Sequence, residues 1–200
     1  MKYKKQLTLI LLFLFFWSLY IVTSTINADR EYHKLELKID SLIKFNPVFS
    51  VFYSLYFFEV LIVFILFFKN ESKLRSIVLM LSLAALIHNI IFLIYPTSIE
   101  RPNLTDEGFF NKLTLFFYRI DNTSNTFPSM HISLITIVFL ALYFYWNRNY
   151  AFLLLPFYIL TALSTVLIKQ HYIIDIISGI LVGIIIFFLL RIKKQKVLLS

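Results

Sequence analysis

The sequence predicts an all-α, polytopic membrane protein: a six-transmembrane-helix bundle with its N- and C-termini cytoplasmic. Three observations lead there. Of the 200 residues 60% are hydrophobic and only 3 are glycine, which leaves little chain for water-exposed loops. Apolar runs long enough to cross about 30 Å of hydrocarbon recur from end to end. The charges between those runs segregate by side.

The first run, about residues 7–23, follows Lys2, Lys4 and Lys5 and lacks a small-x-small cleavage site, so it reads as an uncleaved span. Further spans fall at about residues 48–68, 76–95, 129–146, 150–168 and 172–190. With the N-terminus inside, the inner side carries Lys2, Lys4, Lys5, Lys69, Lys73, Arg75, Arg148, Arg191, Lys193, Lys194 and Lys196 against the single acid Glu71. The outer side balances Arg30, Lys34, Lys38, Lys44, Arg101, Lys112, Arg119 and Lys169 with Asp29, Glu31, Glu36, Asp40, Glu100, Asp106, Glu107, Asp121 and Asp175. Topology thus explains the formal charge of +8, and no soluble basic patch with stacking aromatics is left to serve a nucleic acid.

No linker, composition shift or internal repeat divides the chain, so residues 1–200 read as a single transmembrane domain in a cell (cytoplasmic) membrane. Cysteine is absent, which excludes disulfides and thiolate chemistry. Two outer segments read as surface helices: Leu35, Ile39, Leu42 and Ile43 recur at helical spacing, as do Phe109, Phe110, Leu113, Phe116 and Phe117 behind Thr105 as N-cap. Membrane-surface packing is the plain reading and a lid over a site the functional one. Oligomeric state leaves no mark on the sequence.

Unusual polar residues collect at the outer boundary. Arg101 follows the third span, Ser129, Met130 and His131 open the fourth, Ser164 and Thr165 close the fifth, and Lys169, His171 and Asp175 open the sixth. A histidine and a carboxylate one helical turn apart fix an imidazole tautomer, which frees the other nitrogen as nucleophile or base. His131 adds an acid for a leaving group, the helix start at Ser129 favours an anion, and Arg101 and Lys169 would neutralise phosphate oxygens. That set points to phosphoryl transfer through a phosphohistidine. A histidine pair with a carboxylate also suits a divalent ion, but Arg101 and Lys169 would repel one, so neither a metal nor another cofactor is expected.

These residues resemble a known family. Pro128-Ser129-Met130-His131, then Ser164 through His171 and Asp175, are similar to the second and third signatures of the type-2 phosphatidic acid phosphatase superfamily, P-S-G-H and S-R-x5-H-x3-D. Arg101-Pro102 resembles the end of its first, K-x6-R-P. The resemblance implies a phosphatase-like core over about residues 76–191, His171 as nucleophile, Asp175 as its orienting partner, His131 as acid and base. It also implies phosphate binding by Arg101, Ser129, Met130 and Ser164, the first two through a cation and a helix start. Ile94, Met130 and Thr165 stand where the family has lysine, glycine and arginine, which leaves Lys169 to replace a missing cation. The P-S-M-H and K-Q-H-Y-x-x-D forms are closer to the branch related to inositol phosphorylceramide and sphingomyelin synthases.

The functional expectation is therefore a membrane lipid phosphatase that hydrolyses a lipid phosphate monoester or pyrophosphate at the extracytoplasmic face. A lipid head-group phosphotransferase using the same residues is the alternative. A non-enzymatic lipid or ion transporter is a further one, with Glu59 and His88 as its functional pair; for the intramembrane acid Glu59, with His88 or Asn89 as a possible partner, a structural buried hydrogen bond is the plain reading. Gly179 and Gly183 continue the stripe of His171 and Asp175 and predict close packing of the last helix on a neighbour.

Overall fold

The computed structural model describes residues 3–199, with side chains through residue 192. Lys2 lies outside it, as do the side chains of Lys193, Lys194 and Lys196 in the inner-side charge set. Among the described residues the secondary structure is helical, with isolated bridges from His33 to Thr97 and from Ser98 to Ser124. In chain order the α-helices are α1 Lys4–Asn27, α2 Ser50–Tyr53, α3 Leu55–Phe67, α4 Glu71–Ile94, α5 Phe109–Ile120, α6 Met130–Ala141, α7 Arg148–Leu167 and α8 Ile173–Leu199.

Five stretches are long and apolar enough to cross a membrane: Lys4–Asn27, Pro47–Phe67, Glu71–Ile94, Arg148–Leu167 and Ile173–Ile192. Met130–Trp146 is a shorter apolar helix, α6 extended by the π-helical turn Leu142–Trp146. Local chemistry sets the ends. The Asn70 side chain accepts from the Lys73 N–H at the start of α4, with Glu71 in the first turn, so an orphan donor and the helix dipole are both answered. Asn147 closes the π turn by donating its N–H to the Leu142 carbonyl at 3.0 Å and opens α7 by accepting from the Asn149 N–H at 2.8 Å.

α6 is the axis of the bundle. It packs against α3, α4, α7 and α8, and Ile132, Leu134, Ile135 and Ile137 are all buried, as befits a helix apolar on every side. Outward-facing Leu11, Phe15, Phe58, Ile65, Leu153, Leu181 and Leu189 stay exposed, an apolar girdle that matches a lipid solvent.

The contact between α6 and α8 depends on glycine. A Cβ on Gly179 would lie 2.6 Å from the Ser129 carbonyl oxygen, and one on Gly183 would lie 2.8 Å from both the Ser133 carbonyl oxygen and the Thr136 Cβ. The two backbones therefore meet directly, and the Ser133 hydroxyl donates to the Gly179 carbonyl at 2.7 Å. At the same end of the bundle α1 and α4 are tied to the 121–128 loop. The Asn27 amide donates to the Phe92 carbonyl at 2.9 Å and to Asn125 Oδ1 at 2.7 Å, while Thr97 Oγ1 accepts the N–H groups of Thr126 and Phe127.

Three local expectations need correction. Residues 35–43 do not form a surface helix; only a 3-10 turn, Asp40–Leu42, is present. Its cause is Asp40, buried, whose carboxylate accepts the Leu37 N–H at 2.8 Å and the Ile173 N–H at 2.9 Å, bending the segment onto the start of α8. α5 begins at Phe109, with Gly108 at φ 76° as N-cap instead of Thr105. Glu59 pairs with neither His88 nor Asn89: Thr161 donates to its Oε1 at 3.1 Å, whereas His88 meets Ser133 at 3.1 Å and Asn89 accepts from Thr23 at 3.1 Å. Helix rotation is the reason, since Glu59 lines a cavity of about 180 Å³ between α3, α6 and α7, away from α4.

Gly179→Ala and Gly183→Ala should each destabilise the protein by about 1–3 kcal/mol, because an added methyl meets backbone that cannot yield. Thermal unfolding in detergent checks this; an unchanged melting temperature for both would contradict a backbone-to-backbone contact.

Candidate active site

The two helix starts that the glycine stripe brings together carry the two histidines. Ser129 is the N-cap of α6; its Oγ accepts the Ile132 N–H at 3.4 Å, and its own N–H donates to the Asp175 carbonyl at 3.0 Å. This fixes the start of α6 beside α8 and sets His131 next to His171, with 3.3 Å between His131 Nδ1 and His171 Nε2.

His171 owes its place to how α7 ends. Lys169 adopts φ 53°, its N–H donates to the Val166 carbonyl at 3.1 Å, and the Gln170 N–H donates to the Thr165 carbonyl at 2.8 Å, the pairing of a Schellman cap. The His171 N–H shares the same Thr165 carbonyl at 3.0 Å. α8 then starts with Asp175 reaching back: its Oδ2 accepts the Tyr172 N–H at 2.9 Å. The same oxygen lies 3.4 Å from His171 Nδ1, longer than a settled hydrogen bond, and Asp175 Oδ1 has no partner among the described residues. Both residues are buried, Asp175 completely. The carboxylate thus faces the histidine nitrogen turned away from His131.

A second polar group backs His131. The Tyr53 hydroxyl lies 3.1 Å from His131 Nε2 and donates to Asp121 Oδ2 at 2.8 Å, while the other Asp121 oxygen accepts from the Tyr20 hydroxyl. Asp121 Oδ2 itself is 3.9 Å from His131 Nε2. The Tyr56 ring packs edge-on against the imidazole at 4.6 Å. His131 is therefore held between a tyrosine–aspartate pair and His171.

These groups share a cavity of about 260 Å³, walled by Trp17, Ser18, Tyr20 and Ile21 of α1, Tyr53, Tyr56 and Phe57, Ile120 through Asn122, Ser124, Asn125, Met130, His131, Gln170 and His171. Among those lining residues none is lysine or arginine. Arg101 stands behind the wall. Its Nη1 donates to the carbonyls of Tyr118 and Asp121, its Nη2 to the Asn122 carbonyl and to Gln170 Oε1, and its guanidinium lies 4.3 Å from the Tyr118 ring centre. Burial pushes the Tyr118 hydroxyl up to about 12, against the opposing pull of Arg101, so it stays a donor and bonds the Ile168 carbonyl at 2.6 Å.

The sequence-derived residues thus separate into groups. His131, His171 and Met130 line the cavity, with Asp175 directly behind His171. Ser129 and Ser164 are buried in the helix junction, Ser164 donating to the Thr161 carbonyl at 2.6 Å. Lys169 is not brought to the cavity: its ammonium donates to the carbonyls of Asp40 and Ile43 at 3.2 and 2.7 Å, because the left-handed backbone at this position throws the side chain toward the 40–43 turn. Tyr20, Tyr53, Asp121 and Gln170 escaped the sequence reading. Tyr53 is one of 12 tyrosines and Asp121 one of several outer acids, so only the adjacency of Gln170 to His171 offered a signal. Among the described residues no group of three His, Cys, Asp or Glu side chains could hold a metal ion.

A family model described as PAP2 superfamily matches residues 34–189. Searches among curated proteins and among solved structures return no match. One consequence of the geometry concerns Lys169. Lys169→Ala removes two hydrogen bonds from a charged donor and should cost about 1.5–3 kcal/mol of stability while leaving phosphate affinity unchanged. Melting and phosphate titration of the same sample check it; lost affinity at an unchanged melting temperature would put Lys169 in the site.

Proposed function

The chain belongs to the PAP2 superfamily, and from that premise we propose that it is a membrane lipid phosphatase working at the extracytoplasmic face through a phosphohistidine on His171. The observation that carries this reading is the 3.3 Å approach of His131 to His171, each backed by a carboxylate on its far side. One nitrogen can attack while the other histidine handles the leaving group's proton.

In the proposed reaction His171 Nε2 attacks the phosphorus of a lipid phosphate monoester or pyrophosphate. The P–N bond forms as the P–O bond to the leaving group breaks, and His131, as imidazolium, gives its proton to the departing oxygen. The phosphorylated ring keeps its Nδ1 proton and a positive charge, which Asp175 balances from 3.4 Å. Neutral His131 then takes a proton from water, the water oxygen attacks phosphorus, the P–N bond breaks and phosphate leaves. Asp121, 3.9 Å away, balances the charge His131 carries at the start and end of the cycle.

Helix direction supports six spans and an outward site. α1 and α4 end beside the cavity, where Asn27 meets Phe92 and Asn125; α3, α6 and α8 lead away from it, and α7 runs up to it. Counting Met130–Trp146 as a span, this alternation gives six crossings with both termini opposite the cavity. The positive charge left unbalanced by acids collects on that opposite side, which the positive-inside rule assigns to the cytoplasm. The substrate's polar end would then meet the cavity from the outer head-group region.

A second reading, transfer of the phosphoryl-alcohol group to another lipid, is favoured by one observation. The cavity wall also holds Asp121, Asn122, Ser124, Asn125 and Ser18, hydrogen-bonding groups suited to an acceptor alcohol. Supplying acceptor alcohols decides between them: a new phosphodiester lipid supports transfer, and phosphate release alone supports hydrolysis. In either case His171→Ala and His131→Ala should each lose about 10²–10⁴-fold in turnover with the protein still folded in detergent. Undiminished activity in both variants would refute the histidine mechanism.

A further inference from the structure

The phosphoryl site needs donors for the non-transferring oxygens, and neither cation in its vicinity is aimed into the cavity. Lys169 is turned to the Asp40 and Ile43 carbonyls, and both terminal nitrogens of Arg101 are engaged by the protein. Gln170 is differently placed. It is 2% exposed, lines the cavity next to His171, and its backbone N–H is fixed by the Thr165 carbonyl at 2.8 Å. Its Oε1 accepts from Arg101 Nη2, which settles which end of the amide is which. Its Nε2 is buried and has no partner among the described residues. A buried amide N–H₂ without an acceptor is costly, and an acceptor arriving in the cavity would relieve that cost.

We propose that Gln170 Nε2 is a phosphate-binding donor of this site, polarised by Arg101. The guanidinium pulls electron density toward Oε1 and makes the N–H₂ group a better donor, so Arg101 acts on the ligand through the glutamine. An amide offers hydrogen bonds without a charge. The Asp121 carboxylate shares the cavity wall, and Asp175 lies behind His171. With no lysine or arginine in that wall, the neutral amide is the donor beside His171 through which the Arg101 charge reaches a phosphate oxygen.

This inference rests on the phosphoryl-transfer reading, and the test separates the two. Gln170→Glu keeps an oxygen for Arg101 but replaces the donor with an acceptor, so a purely structural role for Gln170 would survive the change; Gln170→Leu removes both functions. Short-chain phosphatidic acid serves as the probe. Binding is read from the fluorescence of Trp17, which lines the cavity, in a His171→Ala background where no turnover occurs, and turnover is read separately in the protein with His171 intact. Expected is at least tenfold weaker binding in Gln170→Glu at an unchanged melting temperature. Equal binding by Gln170→Glu and the parent would overturn the inference. Absence of turnover with the binding pattern intact would instead count against His171 chemistry and leave the donor role of Gln170 supported.

Discussion

The backbone-to-backbone approach of α6 and α8 is the constraint on which the rest of the structure depends. Two glycines allow it, and through it the Ser129 N–H reaches the Asp175 carbonyl at 3.0 Å. Only at that separation do imidazoles from two different helices come within 3.3 Å, since a single Cβ on the stripe would push the helices apart. The catalytic candidates sit at helix starts, where caps and not loops determine direction. Ser129 holds one and Asp175 the other, so the same residues that end the backbone hydrogen-bond ladders also aim the chemistry.

The two cations near this site are held back from the cavity. Arg101 binds three carbonyls and one amide oxygen, which knits the end of α5 and the 121–122 turn to the residue beside His171. Lys169 does the same for the 40–43 turn. Each cation is thus used to close an irregular segment whose carbonyls would otherwise lie unpaired at a membrane boundary, where unsatisfied backbone is expensive. What remains facing the ligand is a set of neutral donors and two imidazoles, flanked by Asp121 and Asp175. The departure at Thr165 becomes intelligible in that light. Thr165 contributes through its carbonyl, which holds the N–H groups of both Gln170 and His171, and a side-chain cation is not needed for that task.

Much of this was legible in the sequence, and the exceptions share a cause. Helix positions followed from apolar run length, because lipid leaves the backbone no alternative, and the one-turn spacing of His171 and Asp175 survives into the structure as a facing pair. Close packing of the glycine stripe was readable too. Residues 35–43 were not: their helical spacing of apolar residues lost to Asp40, whose carboxylate bonds a residue 133 positions away. The direction of Lys169 depended on a left-handed residue in a helix cap, and no single-position pattern announces that for a lysine. Tyr53 and Asp121 meet His131 only through tertiary contacts, with Tyr53 78 positions away, so periodicity could not mark them. Glu59 was rightly singled out as an intramembrane acid, but which neighbour it meets depends on helix rotation, which sequence spacing leaves free.

The central claim is that His171 becomes phosphorylated during turnover while His131 manages protons. A nitrophenyl phosphate ester tests it directly, because its leaving group departs without an acid and so does not need His131 in the first step. In His131→Ala, rapid quenching followed by peptide mass spectrometry should find the phosphoryl group on His171, at a higher steady-state level than in the unmodified protein, because the step that needs a base is then slowed. Turnover of the same ester with no phosphoryl group on His171, or with the group on another residue, would contradict the account.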